Sequence, residues 1–507
     1  MAQRVGLVHE LIHRIGPTVT EGVVFLSKRY KLNIGQTRLQ CYALSPVHSF
    51  KFKQMRTILF LIVILSSLVA NGQSKDRYHF HNVNLLSMTD GNSITDNVDV
   101  LVSNGSIEAI GSPGDFKDKS YTQIEGDGMY LMPGISEMHA HIPTPQNGDD
   151  AYVRETLFMY LSNGITTIRG MLGAPYHLEL KKQIEAGQIL SPRVYTSSPS
   201  LNGNTVKTQE EAREKVLQYK NDGYDFLKIH PGITLPVMKE LVKTANKTGI
   251  RFAGHVPYEV GLQRAIDYGY WSVDHCDGFV EGIVKGDFEE SEIGFFGLGI
   301  VTESNVKALP KLCKAMAANN VYLVPTQSLF TRWVSPTSAK EMIQEPEMAY
   351  MSSATRYKWV SSKTKMVNDA EYRVEQYSQF LDVRHEILKC AHKNGVQFLL
   401  GSDAPQVFNV PGFSIQHEMQ SLVDAGIPIY DVLLSGTINP AKFFGQEGQY
   451  GQITSGASAD LILLRKNPLV SIENMQEIVG VMVRGQWLTK EEIDARLGDI
   501  AIQNEAE

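Results

Sequence analysis

Residues 132–143 read MPGISEMHAHIP. Pro133-Gly134 carries turn chemistry and leads into a run with strand character. Along a strand, residues i and i+2 point to the same face. His139 and His141 therefore share a face, as two imidazoles on one metal must. With 14 His in 507 residues, one HxH pair arises readily by chance, and a second stands at His79-Phe80-His81. Spacing alone decides nothing here; the other ligands have to come from elsewhere in the chain.

Outward from that stretch, short β runs alternate with helical segments. After the first strand, ending at His141, come GITTIRGM (164–171), PRVYTS (192–197), YDFLKIH (224–230), IRFAGHV (250–256), WSVDHC (271–276), VYLVPT (321–326) and VQFLLGSD (396–403). TQEEAREKVLQYKNDG (208–223) and TLPVMKELVKTANKTG (234–249), between them, have helical periodicity and end at Gly. Eight β/α units in series predict an α/β fold, a (β/α)8 TIM barrel over residues 131–445, with a doubly wound sheet as the alternative. A polar, Met/Tyr-rich stretch at about 335–394 is expected to be a helical insertion, part of it a lid, with a helical hairpin of no role at the site as the alternative. Residues 76–130 and 446–490 are strand-rich, with a hairpin signal at Asn104-Gly105. Together they predict a small composite β-sandwich domain built from both terminal segments.

Catalytic groups of a barrel come from the carboxyl ends of its strands. Those predicted ends carry His139, His141, Lys228, His255, His275 and Asp403. Neutral imidazoles and a carboxylate bind a divalent metal, Zn2+ first among them, at one or two ions per chain. A protonated lysine cannot. A buried lysine loses its proton, and the neutral amine takes up CO2 to give a carbamate, a carboxylate on a long arm that bridges two metals. Asp403 is then the catalytic residue as well as a ligand, accepting a proton from water and passing it to the leaving nitrogen.

The chain resembles the amidohydrolase superfamily, in particular relatives of imidazolonepropionase and of metal-dependent Xaa-Pro dipeptidases. The resemblance rests on LMPGISEMHAHI, GITTIRGM, YDFLKIH, FAGHV, SVDHC, FLLGSDAP, GTINPAKFFG and GQITSGASADLILLRKNPL, spread from about Leu131 to Leu469. It implies metal-ligand roles for His139, His141, Lys228, His255 and His275, and a ligand and proton-shuttle role for Asp403. It also implies a hydrolase of amide, cyclic amide or dipeptide C–N bonds acting on a small-molecule substrate. A mononuclear deaminase or imidazolonepropionase-like enzyme, which does not need Lys228, is the alternative; a non-catalytic binding protein is the second. Where dipeptidase-like relatives often continue into a Gly-rich loop after the lysine, this chain has His230-Pro231-Gly232-Ile233-Thr234. His230, Arg169 and His417 are candidates for substrate contacts, and the sequence does not rank them.

The amino-terminal segment reads differently. Nine Lys/Arg (Arg4, Arg14, Lys28, Arg29, Lys31, Arg38, Lys51, Lys53, Arg56) stand against Glu10 and Glu21 in residues 1–72, although the whole chain carries a net charge of −7. KFKQMRTILFLIVILSSLVANGQS (51–74) has the basic, apolar and small-residue parts of a secretory signal, expected over residues 55–72 with cleavage near Gly72. Its apolar run is too short to span a membrane. The expected location is secreted or periplasmic, with no stable membrane span after cleavage, and residues 1–54 are expected to be a non-native or disordered extension. HELIH (9–13) matches a zinc-protease motif, but Val19 stands where its extended version places a third His, and the motif lies upstream of the signal. No block of like charge points to a nucleic-acid partner. Cys41, Cys276, Cys313 and Cys390 form no disulfide framework. The oligomeric state is open between monomer and homo-oligomer.

Overall fold

Strand-forming residues from both ends of the barrel region meet in one sheet. In the computed structural model, residues 77–369 and 372–506 are described; the signal-like segment, HELIH and Cys41 lie outside them. β1 (Arg77–Leu85), β2 (Thr95–Ser103), β3 (Ser106–Gly111), β4 (Thr122–Glu125) and β5 (Tyr130–Pro133) come from the amino-terminal side. The β2–β3 hairpin turns on Asn104-Gly105, both at positive φ (57° and 80°), the pair of left-handed residues that a type I′ turn requires.

Past β5 the chain enters two parallel sheets. The first orders β6 (Ile135–Ala140), β7 (Ile165–Gly170) and β8 (Arg193–Thr196). The second orders β9 (Phe226–Ile229), β10 (Arg251–Gly254), β11 (Ser272–Asp274) and β12 (Tyr322–Val324). Parallel bridges Ser197↔Phe226 and Leu201↔Ile229 join the end of the first sheet to β9. β6, β7 and β9 are buried along their whole length, as expected of parallel strands covered by helices on one side and packed core on the other. The helix Gln209–Asp222 starts on a Thr208/Glu211 capping box and stops at Gly223 (φ 94°). Leu235–Thr248 stops at Gly249 (φ 69°). Both sit where their periodicity predicts.

The eighth predicted strand is corrected. Residues 396–403 form no continuous strand: the bridge Leu323↔Phe398 joins them to β12, and Met138 N to Leu400 O (2.7 Å) and Asp403 N to His139 O (3.0 Å) lay them beside β6. The reason lies in where their amides go. Leu400 N donates to Ser435 O (2.9 Å), and Ser402 N donates to the side chain of Glu137 (2.9 Å), so neither is left for a ladder. Gly401 lets the segment lie against β6, since a Cβ there would stand 2.8 Å from His139 N.

The chain returns as β13 (Leu461–Leu464), β14 (Ile478–Val483) and β15 (Gln486–Thr489). β13 pairs antiparallel with β5, giving the order β15-β14-β13-β5-β1-β2-β3, with β4 on β1. Within 335–394 the helices are Ala339–Met342, Ser353–Val367 and Val374–Lys393. The last sends the fully buried Arg384 under the ends of β11 and β12, where it donates to His275 O (2.8 Å) and Pro325 O (2.9 Å). That helix supports the site from behind. Among the described residues no helix is long and apolar enough to cross a membrane.

Candidate metal centre

Five of the six predicted ligand positions fall at or just beyond the carboxyl ends of parallel strands, Asp403 follows the bridged segment 396–403, and the six converge. His141 Nε2 lies 2.6 Å from Asp403 Oδ1, His139 Nε2 lies 3.6 Å from the same oxygen, and His275 Nδ1 lies 3.8 Å from Asp403 Oδ2. Lys228 Nζ is 3.5 Å from His139 Nε2. The His255 ring stacks beside His275, and His275 beside His139, each pair with centroids 4.5 Å apart. One ligand atom from each of His139, His275 and Asp403 lies within 4.8 Å of the other two, a donor set able to hold a metal ion.

A layer of acids and hydroxyls behind these residues fixes them. Asp274 Oδ2 stands 2.9 Å from His139 Nδ1, Asp277 Oδ2 2.7 Å from His255 Nδ1, and Thr326 Oγ1 2.8 Å from His275 Nδ1. Held through Nδ1, His255 turns Nε2 toward the centre, the orienting arrangement common to metal-binding histidines, whereas His139 Nδ1 lies close to Asp274 without a hydrogen bond to it. Burial, reinforced by the nearby Lys228 charge, pulls His139 well below the usual imidazole range and His255 down to about 3. Both are therefore neutral at pH 7, the form that binds metal. Glu137 ties the two halves of the centre together: it accepts from His139 N (2.9 Å), Ser402 N (2.9 Å) and Ser402 Oγ (2.5 Å). Burial pushes its carboxyl up to about 8 against those hydrogen bonds.

Space for the lysine arm is built in at Gly254. A Cβ there would stand 3.0 Å from Lys228 Cδ, 3.2 Å from its Nζ and 2.6 Å from Ile229 O. Backbone strain gathers at the same place. His275 (φ 64°), Cys276 (58°), Phe296 (54°), Thr326 (46°) and Asp403 (64°) all occupy the left-handed region. Non-Gly residues pay for that conformation, and it concentrates at functional sites.

The centre opens past His141 and His255, whose side chains are 19 % and 12 % exposed, whereas His139 and His275 are closed off. A cavity of about 300 Å³ lined by Pro231, His255, Tyr258, Glu281, Phe295 and Phe296 meets this mouth. The Phe296 ring packs on His275 and His255, at 5.4 and 5.9 Å. Phe296, over these histidines, belongs to the 3-10 segment Phe295–Glu303.

The three candidate substrate contacts separate. His230 stacks on His255 (4.9 Å), meets Ser200 Oγ through Nδ1 (2.8 Å) and lines a polar depression with Asn202 and Asn204, so it borders the centre. Arg169 does not reach a ligand. It is fully buried beneath the centre, donating to Met138 O (2.6 Å), Ser272 Oγ (2.9 Å) and Asp274 (3.1 Å). His417 sits elsewhere, paired with Glu347 at 2.8 Å in a cavity that contains none of the six ligand positions. Burial pushes Asp274 upward, but Arg169, Lys228 and His275 outweigh it and hold the carboxylate ionised. Arg169→Met, which strands that buried charge, is expected to cost about 3–5 kcal/mol of unfolding free energy, read by denaturant titration. A loss below about 1 kcal/mol, the range of an exposed pair, would remove Arg169 from this role.

The comparisons with known proteins agree with this architecture. The chain is similar in structure to a bottromycin amidohydrolase (TM-score 0.67, 20% identity, covering 84% of this chain and 90% of that one). It is similar to a putative prolidase from Bifidobacterium longum (TM-score 0.60, 21% identity, 84% and 99%). A Xaa-Pro dipeptidase with bound methionine in its active site is a third (TM-score 0.60, 17% identity, 82% and 100%). No curated protein is significantly similar in sequence. The sequence profile of the amidohydrolase family matches residues 130–488. A match over well more than half of the chain, running from β5 to β15 through every residue of the centre, makes this protein a member of the amidohydrolase family.

Proposed function

We propose that the protein is a metal-dependent hydrolase of C–N bonds in small amides, cyclic amides or dipeptides, built on a (β/α)8-type barrel whose eighth position is taken by the bridged segment 396–404, with a composite terminal β domain. The observation that carries the reading is the meeting of His139, His275 and Asp403 around one point, with Lys228 beside them. Ring closure is supported by the bridges on either side of residues 396–404, and the composite domain by the β5–β13 pairing.

The donor set fits Zn2+: imidazoles held neutral by burial, one carboxylate, and hydrogen-bond partners on a ring nitrogen of His255 and of His275. A bound divalent ion supplies a polarised substrate carbonyl and a water of lowered pKa. The protein's own groups do the rest. Asp403 Oδ1, beside His141, takes up the proton from water and delivers it to the leaving nitrogen. Phe296 and Phe295 exclude bulk water from the His255–His275 side. The amine of Lys228, without a carboxylate in direct contact, takes up CO2 as a carbamate and releases one proton.

Stripping metal with a chelator is expected to abolish hydrolysis across a panel of Xaa-Pro dipeptides, N-acyl amino acids and cyclic amides, and Zn2+ with bicarbonate is expected to restore it. The relatives named as prolidase and amidohydrolase motivate that panel. Full hydrolysis by metal-free protein would sink the reading. Elemental analysis of the restored enzyme counts the ions: two per chain support the Lys228-bridged centre, and one supports the mononuclear alternative.

A further inference from the structure

The second HxH pair, His79-Phe80-His81, plays no part in the hydrolytic centre. It lies on β1, in the terminal sheet. β1 pairs with β2 in the register His79↔Leu101 and then slips between Phe80 and Val83, where Asn82 turns to φ 52°. That irregularity lets Asn82 N donate to Asp99 Oδ1 (2.9 Å) and brings both histidines onto the same carboxylate. Asp99 Oδ2 is 3.1 Å from His79 Nε2 and 3.7 Å from His81 Nδ1, and it accepts from Gly114 N at 3.3 Å. The two rings lie 3.6 Å apart, tilted by 37°.

Two features distinguish this cluster from an ordinary buried His–Asp contact. His79 is 1 % exposed, and its Nε2 points at Asp99 without forming a hydrogen bond: a buried polar atom left unpartnered. Such atoms are rare in native structures and call for a reason. His81 meets Gln123 Oε1 on β4 through Nε2. An amide oxygen only accepts, so Nε2 carries the proton and Nδ1 presents its lone pair toward Asp99. Two imidazole nitrogens and one carboxylate oxygen, all within 4.8 Å of one another, make a zinc-type donor set. The His81 side chain is 28 % exposed, which leaves a side open for a water as fourth ligand. The cluster Glu345/Glu347/His417 offers less, because Arg332 already pairs with both of its carboxylates.

We propose that His79, His81 and Asp99 form a second divalent-metal site, of zinc type, that ties β1 to β2 and is independent of the hydrolytic centre. The test compares the full chain with its His81→Ala variant by elemental analysis after equilibrium dialysis against Zn2+. The variant is expected to hold about one ion per chain fewer, to lose the part of the Zn2+-induced rise in Tm that this site supplies, and to hydrolyse substrate at the parent rate. His139→Ala/His141→Ala, which disables the other centre, is expected to keep this ion. Equal zinc content in the parent and His81→Ala overturns the proposal. A second measurement needs no variant: labelling of His81 by diethyl pyrocarbonate, located by peptide mass, is expected to drop severalfold when Zn2+ is present. Labelling that is the same with and without Zn2+ overturns the proposal as well.

Discussion

Asp403→Asn is expected to lower kcat by about 10²–10⁴, the range lost with a positioned general acid–base. KM, metal content and Tm are expected to stay near those of the parent. The substitution is nearly isosteric, and the backbone that holds it is not disturbed. Asp403 N donates to His139 O (3.0 Å), and the preceding Ser402 is locked by Glu137, by Ser414 Oγ (2.7 Å) and by Asn409 Nδ2 on its carbonyl (3.0 Å). An amide oxygen in place of Oδ1 still lies beside His141 and can still approach a cation. What the amide cannot do is take a proton. Steady-state kinetics paired with elemental analysis separates the two roles. Loss of kcat with metal retained assigns proton transfer to Asp403. Loss of both assigns it mainly to metal binding. A kcat near the parent's, with metal retained, removes the proton-shuttle role.

The convergence of the six candidate positions was legible in the sequence because each stands at the end of a short β run, and strand ends are where a barrel gathers its chemistry. The orienting layer was less visible, although signals for part of it exist. Glu137 and His139 share the strand period of two, so a carboxylate one step below the first histidine lies on the same face. Asp274 and Asp277 bracket His275 in SVDHCDG, but their roles depend on how the chain leaves β11. It does so through two left-handed residues, His275 and Cys276, which no side-chain pattern announces. Arg169 reads as a candidate contact because GITTIRGM fixes the strand and not the depth at which its guanidinium lies. His417, on the helix Ser414–Asp424, reads as one for want of any clue to its pairing with Glu347. The eighth run carries the composition of a strand, and tertiary hydrogen bonds to Glu137 and Ser435 override it. Phe296 sits in 3-10 turns without periodicity, so the cover over the histidines left no trace for a pattern to find.

Lys228→Ala is expected to remove about one metal ion per chain and to lower kcat/KM by more than about a hundredfold, beyond what loss of an orienting partner costs. Nζ is fully buried, burial lowers its pKa, and the nearest polar partner is a histidine at 3.5 Å, which offers no negative charge. As an ammonium among four imidazoles, Lys228 would repel a divalent cation bound to this donor set. As a carbamate it contributes two oxygens and a negative charge at the same point, and Gly254 leaves the arm room to reach it. Alanine removes both the arm and the anion and leaves a cavity of lysine length. A small carboxylate such as propionate, supplied with Zn2+, is expected to enter that cavity and restore part of both the metal content and the rate. Lys228→Arg, permanently charged and unable to form the carbamate, is expected to gain nothing from the same addition. Tm is read alongside, and a value near the parent's separates the loss of activity from a loss of fold. Full activity in Lys228→Ala with one ion bound would instead support the mononuclear alternative, in which the lysine takes no part in the chemistry.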